Sequence, residues 1–276
     1  MVSFEFGQQW SAGFRRGTEA EVQGWLAFAV ECCEAADQLA LRDFRRGPQP
    51  EIKSDGTYVT RADRAIERMI RERIADAFPS HGLVGEEEGE ESAGASIRWY
   101  IDPIDGTHNY IRGIPLFGTL LALERDGELQ VGVISAPALR QRWVASRAGG
   151  AWNNEGRLRV SAVASLNEAG VVYTSAREIL ASESIPGWDA TLRDVDYESA
   201  VGDFWGFGFV AEAKVEAMIE GRVHPWDLAA PLIMIEEAGG RMTTTNGVRS
   251  VNINGACVAS NGLIHAELLA RLLATG

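Results

Sequence analysis

Apolar positions in the first third of the chain recur at helical spacing. Val22, Leu26, Val30, Cys33 and Ala36/Ala37 return every three or four residues, which predicts a helix. Thr18-Glu19-Ala20-Glu21 has the capping-box spacing that would start it, and Gly47-Pro48 closes this helix or the loop after it. A second stripe, Ala62, Ile66, Met69, Ile70, Ile74 and Phe78, follows the cap Thr60-Arg61-Ala62-Asp63 and stops at Pro79. Both stripes read as faces that pack on a sheet. The pattern then changes. Leu83-Val84-Gly85 is a short strand running into Glu86-Glu87-Glu88, and Ile97, Trp99 and Ile101 form a strand heading into a core.

Between Pro115 and Ser146 the chain reads as three strands: Leu116–Glu124, Leu129–Ile134 after an Asp126-Gly127 turn, and Arg142–Ser146. Asn153-Asn154-Glu155-Gly156 is another turn, before Leu158–Val160. Residues 161–200 are less regular, with one strand at Val171–Thr174 and then a Ser/Glu/Pro-rich segment. Asp203–Glu212 is expected to be helical and Val215–Glu220 to be a strand. Trp226-Asp227-Leu228-Ala229-Ala230 opens an apolar helix that Gly239-Gly240 ends. Residues 241–260 alternate as strands, and Leu263–Leu273 closes the chain as a helix. Strands interleaved with helices over the whole length predict a layered α/β or α+β architecture.

With 276 residues, 46% of them hydrophobic, the chain can bury a large core in one domain or two closely joined lobes. Residues 1–16 read as a variable extension and 17–276 as one domain, with lobes of about 17–160 and 161–276. A net charge of −13 argues against a nucleic-acid partner or an acidic membrane, and it suits carboxylates gathered around metal ions. Nothing reads as a signal peptide or as a stretch that spans a bilayer. Cys32, Cys33 and Cys257 are expected to be reduced, buried thiols, as in the cytoplasm. The four histidines lack zinc-type spacing.

The candidate chemistry lies in Asp102-Pro103-Ile104-Asp105-Gly106-Thr107. Proline cannot extend a ladder, so the strand is expected to break at Pro103. The turn would then offer two carboxylates and the Ile104 carbonyl, a donor set for a hard cation such as Mg2+. Amides after Gly106 would cradle a phosphate if a helix starts there. A solvated surface turn is the plain alternative for that stretch alone. Further acids stand where elements meet: Asp63 in a first turn, Glu86 at a strand end, and Asp227 between apolar neighbours, where it could equally be an N-cap. Two bare carboxylates about 4 Å apart repel by ~4 kcal/mol at an effective dielectric of 20. Four converging acids therefore call for cations.

Gly85-Glu86-Glu87, Asp102-Pro103-Ile104-Asp105-Gly106-Thr107-x-Asn109-Tyr110 and Trp226-Asp227-Leu228-Ala229-Ala230 resemble the inositol monophosphatase family in motif, order and separation. Lys53-Ser54-Asp55 and Val59-Thr60-Arg61-Ala62-Asp63 resemble its entry segment, so the likeness covers about residues 20–273. The resemblance implies an αβαβα sandwich, a homodimer, and Mg2+-dependent hydrolysis of small phosphate monoesters with two or three ions. It implies metal ligands at Glu86, Asp102, the Ile104 carbonyl, Asp105 and Asp227. It gives Thr107, oriented by Asp63, the task of positioning water with help from Glu86 and a metal, and the amides of Gly106 and Thr107 that of holding phosphate. Haloacid-dehalogenase phosphatases need Asp-x-Asp, which the spacing of Asp102 and Asp105 does not provide.

Within the family the chain is most similar to the bacterial histidinol-phosphate phosphatase branch, through Gly132–Trp143, Gly202-Asp203-Phe204, Val210-Ala211-Glu212 and Ser260-Asn261-Gly262-Leu263. Inositol-1-phosphate or other sugar phosphates are the alternative substrates. A cationic leaving group wants carboxylate partners. Asp203 and Glu220 are the candidates, with a helix N-cap as the plain alternative for Asp203. His108 is expected as a loop side chain near the entrance. Lys53 is expected near the metals on a loop over 47–58, and Glu87 and Glu88 are expected to face water.

Overall fold

Five layers stack in the computed structural model, which describes residues 19–54, 56–182, 184–253 and 255–274. Helix α1 (Glu19–Phe44) leads into a small hairpin, β1 (Glu51–Ile52) and β2 (Tyr58–Val59), and then into helix α2 (Arg61–Ala77). Next come β3 (Gly82–Gly85), β4 (Gly89–Glu91), β5 (Ile97–Asp105) and the one-turn helix α3 (Thr107–Ile111). The antiparallel run β6 (Gly118–Arg125), β7 (Glu128–Ala136), β8 (Gln141–Ser146), β9 (Gly150–Asn153) and β10 (Gly156–Arg157) follows. These strands form an eight-stranded sheet of order β10-β9-β8-β7-β6-β5-β3-β4, in which β3 and β5 pair in parallel.

The second half begins with β11 (Gly170–Tyr173), α4 (Ala176–Ala181), α5 (Trp188–Asp194) and β12 (Tyr197–Ser199). It continues with α6 (Asp203–Ala211), β13 (Ala217–Val223), α7 (Pro225–Glu237), β14 (Arg241–Thr244), β15 (Gly255–Ser260) and α8 (His265–Leu273). Its strands make a five-stranded sheet, β12-β11-β13-β15-β14.

Side-chain alternation along the strands divides the core. Trp99, Ile101, Leu121, Leu123, Val131 and Val133 point to α1 and α2 and meet Ala29, Ile66 and Ile70. Tyr100, Leu120, Ala122 and Ile134 point the other way, onto Phe204, Phe207, Leu228 and Ile233 of α6 and α7. The same middle layer takes Val172, Met218 and Cys257 from one face of the small sheet. Val171, Ala217, Ile219 and Val258, on its other face, meet Trp188, Leu268 and Leu272 of α5 and α8. The result is the αβαβα, α+β sandwich. Helix α7 lies between two sheets, which is why it is apolar all round.

Three expectations need correction. The strand does not end at Pro103, because β5 runs on to Asp105. The ladder is interrupted instead, with pairing passing from Asp102↔Leu120 to Asp105↔Gly118. A bulge there leaves the missing proline N–H without consequence. The irregular stretch over 161–200 contains two short helices, α4 and α5, whose six and seven residues are too few to show a helical period. Glu87 does not face water: its side chain is 5% exposed and binds Lys53. The proposed cap at Thr18, the extension 1–16 and Asp55 lie outside the described residues.

Candidate active site

The bulge in β5 builds the centre of the site. It turns Asp102, Ile104 and Asp105 into a cavity of about 650 Å³ and delivers the chain to Gly106. Gly106 has φ +81°, and a Cβ there would sit 2.8 Å from the Leu116 carbonyl oxygen, so only glycine fits this turn without displacement. Helix α3 starts directly afterwards, at Thr107, as the phosphate-cradle expectation required. Its first backbone bonds run from the amides of Asn109 and Tyr110 to the Gly106 carbonyl. The Thr107 hydroxyl donates to the Ile104 carbonyl at 2.9 Å.

Two more acids arrive on helix N-termini by one local device. Asp63 is the third residue of α2, and its Oδ2 accepts from the Thr60 amide (2.9 Å) and hydroxyl (2.5 Å). Asp227 is the third residue of α7, and its Oδ2 accepts from the His224 amide at 2.7 Å. The plain reading of Asp227 as an N-cap therefore changes: it serves the cap from inside the helix. Asp63 Oδ1 is buried without a partner. Asp102 Oδ1 is in the same condition, and it lines the cavity wall.

Glu86 leaves the end of β3, with its amide bonded to the Ile101 carbonyl at 3.2 Å. Lys53, carried between β1 and β2, places its Nζ 2.9 Å from Glu86 Oε1 and 2.6 Å from Glu87 Oε1. Lys53 thus stands beside Glu86, one of the acids expected to hold metal. His108 lies on α3 rather than in a loop. It lines the cavity mouth and meets the Tyr58 ring edge-on, with centroids 5.0 Å apart.

The opposite wall comes from α6 and β13. Asp203 is the first residue of α6, not its N-cap, and it holds a left-handed backbone, φ +54°. Its Oδ2 accepts from Asn109 Nδ2 at 3.3 Å. The next amide, Phe204 N–H, donates to Asp105 Oδ2 at 2.6 Å, so α6 touches both walls. Glu220 reaches the cavity from β13, where the ladder skips a residue between Glu220 and Val223. Thr174 and Glu178 line the same side. The sequence reading missed both, since they fall where it found no element beyond a strand.

Seven carboxylates (Glu86, Asp102, Asp105, Glu178, Asp203, Glu220, Asp227) line the cavity, against Lys53 and Arg222. Burial, then the charges of Glu86, Asp105, Asp227 and Asp63, pushes Asp102 well above the ordinary carboxylate range. Burial with neighbouring Asp203 does the same to Asp105 and to Glu220. Burial lifts Asp227 to about 7 and Asp63 to about 6, in each case against the helix-cap bonds that favour the charged form. Asp203 rises to about 6 through burial and the charge of Glu178.

Such a cluster stays ionised only beside cations. Its donors are all oxygen, which suits a hard divalent ion. Among the described residues, no three His, Cys, Asp or Glu side chains are already arranged around one metal position. Lys53 holds Glu86, while the Phe204 and His224 amides hold Asp105 and Asp227. The residues thus fit a divalent ion by their chemistry and by lining one cavity, and their side chains have to leave these partners to close on it.

The family model of the inositol monophosphatase family matches residues 21–275. The histidinol-phosphatase of Mycobacterium tuberculosis is 40% identical over 257 residues, 90% of this chain and 97% of that protein. The histidinol-phosphatase of Chlorobaculum parvum is 38% identical, over 90% and 96% of the two chains. A solved inositol monophosphatase of Thermotoga maritima superposes with a TM-score of 0.81 at 31% identity, covering 90% of this chain and 96% of its own. The chain belongs to the inositol monophosphatase family. It is a phosphoric monoester hydrolase.

Proposed function

We propose that the protein hydrolyses L-histidinol phosphate to L-histidinol and inorganic phosphate with two or three bound Mg2+ ions. Glu86, Asp102, the Ile104 carbonyl, Asp105 and Asp227 would hold them. Bound there, the ions supply charge stabilisation for the phosphoryl and leaving oxygens and a more acidic water. Thr107, oriented by Asp63, positions that water together with Glu86. In this structure the Thr107 hydroxyl donates to the Ile104 carbonyl, so taking up this role requires it to turn to the unpartnered Asp63 Oδ1. The amides of Gly106 and Thr107 hold the phosphate, at the point where the first turn of α3 leaves N–H groups without helical partners.

One observation carries the choice of substrate: two further carboxylates, buried Glu220 and half-buried Asp203, line the same cavity as the metal-binding acids. A leaving alcohol bearing an ammonium and an imidazole matches two carboxylates there. Relatives named histidinol-phosphatase support the same choice. The second reading, inositol-1-phosphate or a broad range of sugar phosphates, draws on the Thermotoga inositol monophosphatase and on Glu220, which also suits hydroxyls. We further take residues 17–276 as one phosphatase domain with lobes meeting near 160, and the enzyme as a cytoplasmic homodimer without nucleic-acid or membrane partners. Three buried free thiols and a net charge of −13 support that setting.

The test is phosphate release with Mg2+ from L-histidinol phosphate and from inositol-1-phosphate, in the wild type and in Asp203→Asn. Asparagine is preferred to alanine because it tolerates the left-handed backbone at φ +54° while removing the charge. Losing a charged hydrogen bond of ~1.5–3 kcal/mol lowers kcat/KM for histidinol phosphate by about 10- to 100-fold. For inositol-1-phosphate the change stays within about threefold, because a hydroxyl does not need the charge. Equal losses on both esters, or a wild-type preference for inositol-1-phosphate, would favour the second reading.

A further inference from the structure

Glu67 sits in the middle of α2, fully buried, where an acid has no place in an apolar stripe. Its carboxylate accepts from two successive amides of the turn after β3. Oε2 takes Glu87 N–H at 2.7 Å, and Oε1 takes Glu88 N–H at 3.0 Å. Arg71, one helical turn on, donates through Nε to Oε1 at 2.8 Å and through Nη2 to the Gly89 carbonyl. Gly85 makes the approach possible: a Cβ there would lie 2.1 Å from Glu67 Oε1 and 2.7 Å from Arg71 Nη2. Glu86 is therefore gripped on both sides. Its own amide joins β5 through the Ile101 carbonyl, and the two amides after it are locked to α2. Asp63, one turn earlier on the same helix, stands near enough to Glu86 for their charges to interact.

We propose that Glu67, braced by Arg71, is a positioning residue that fixes Glu86 for metal binding. It does not touch the ion; it sets where the backbone of a metal-binding acid can stand. The proposal rests on the reading of Glu86 as a metal ligand. A purely structural ion pair would hold the fold equally well and leave the metal alone, so affinity separates the two roles.

The experiment is calorimetric titration of the apo enzyme with Mg2+, alongside thermal unfolding without metal, for the wild type, Glu86→Gln, Glu67→Gln and Gly85→Ala. Glu67→Gln turns an N–H against one of the two amides. Gly85→Ala pushes the intact carboxylate off both and leaves every charge in place. Groups that orient metal ligands are typically worth 10- to 100-fold in affinity. Both variants are therefore expected to weaken Mg2+ by about tenfold or more while remaining folded by circular dichroism. Glu86→Gln is expected to weaken it at least as much. If Glu86→Gln weakens Mg2+ but the other two bind like the wild type and only melt earlier, the positioning role is overturned. If Glu86→Gln itself binds like the wild type, the metal reading fails, and the proposal with it.

Discussion

Buried polar groups are treated in opposite ways in two regions of this molecule. Away from the cavity, three polar side chains are partnered on every side. Glu212 Oε1 accepts from Trp143 Nε1 at 2.8 Å, Asn153 Nδ2 at 2.8 Å and Gln141 Nε2 at 3.2 Å, and its other oxygen pairs with Lys214. His265 lies between Thr243 Oγ1 at 2.9 Å and Ser260 Oγ at 2.8 Å. Asp37 binds Arg142 at 2.7 Å and Ser135 at 2.9 Å. Asp102 in the cavity wall, and Asp63 whose charge reaches it, keep buried oxygens with no partner, and the surrounding acids raise one another. An orphaned buried carboxylate costs several kcal/mol unless something else completes it. The contrast says that the first kind of burial serves the fold and the second waits for a ligand.

The largest effect expected from this contrast is at Asp102. Asp102→Asn should lower kcat by about three orders of magnitude, since several kcal/mol of cation-mediated stabilisation is at stake. The same change should make the metal-free protein more stable at pH 7 by about 1 kcal/mol, because folding no longer has to neutralise a buried acid whose pKa is raised. Steady-state kinetics and urea unfolding of one preparation check both. A variant that loses both activity and apo stability would erase the distinction between the regions.

Glu212→Ala should behave the opposite way. It strands the Trp143 and Asn153 donors and should cost about 3 kcal/mol in urea unfolding, with kcat within about twofold of wild type.

The smallest effect is a pH slope. Burial holds the His265 imidazole neutral, with its pKa lowered from 6.5 to about 4. The unfolded chain then binds more protons than the folded one between those values, so stability is complete above pH 6.5 and falls as the pH drops. The expected loss from this residue is about 2 kcal/mol between pH 7 and 5. It should vanish in His265→Gln, measured by unfolding at each pH.

What could be read in the chain beforehand follows the same division. Asp102 to Thr107 is contiguous, and proline, glycine and two acids at fixed spacing carry their chemistry locally. Thr60 and Asp63 were legible as a cap because a capping box spans only four residues. Asp227 was legible as an acid out of place among apolar neighbours. Glu67 was not, because an acid on a helix ordinarily faces water and nothing in the chain brings Gly85 beneath it. The left-handed backbone of Asp203 was also hidden. It comes from the close packing of Gly202, where a Cβ would lie 2.3 Å from Thr174 Cα, a contact made across 28 residues of chain. Glu178 was hidden by the absence of any helical period in the short helix α4, and Thr174 because the end of a predicted strand says nothing about which cavity it lines.

The acids gathered at the cavity, Asp102 with its unpartnered oxygen among them, should bind divalent cations. Anomalous diffraction from a crystal soaked in Mn2+ and phosphate tests it most directly. Strong peaks are expected within coordinating distance of Glu86, Asp102, Asp105 and Asp227, with Lys53 displaced from Glu86. Peaks confined to other surfaces, with these carboxylates still bonded to Lys53 and the Phe204 and His224 amides, would contradict it.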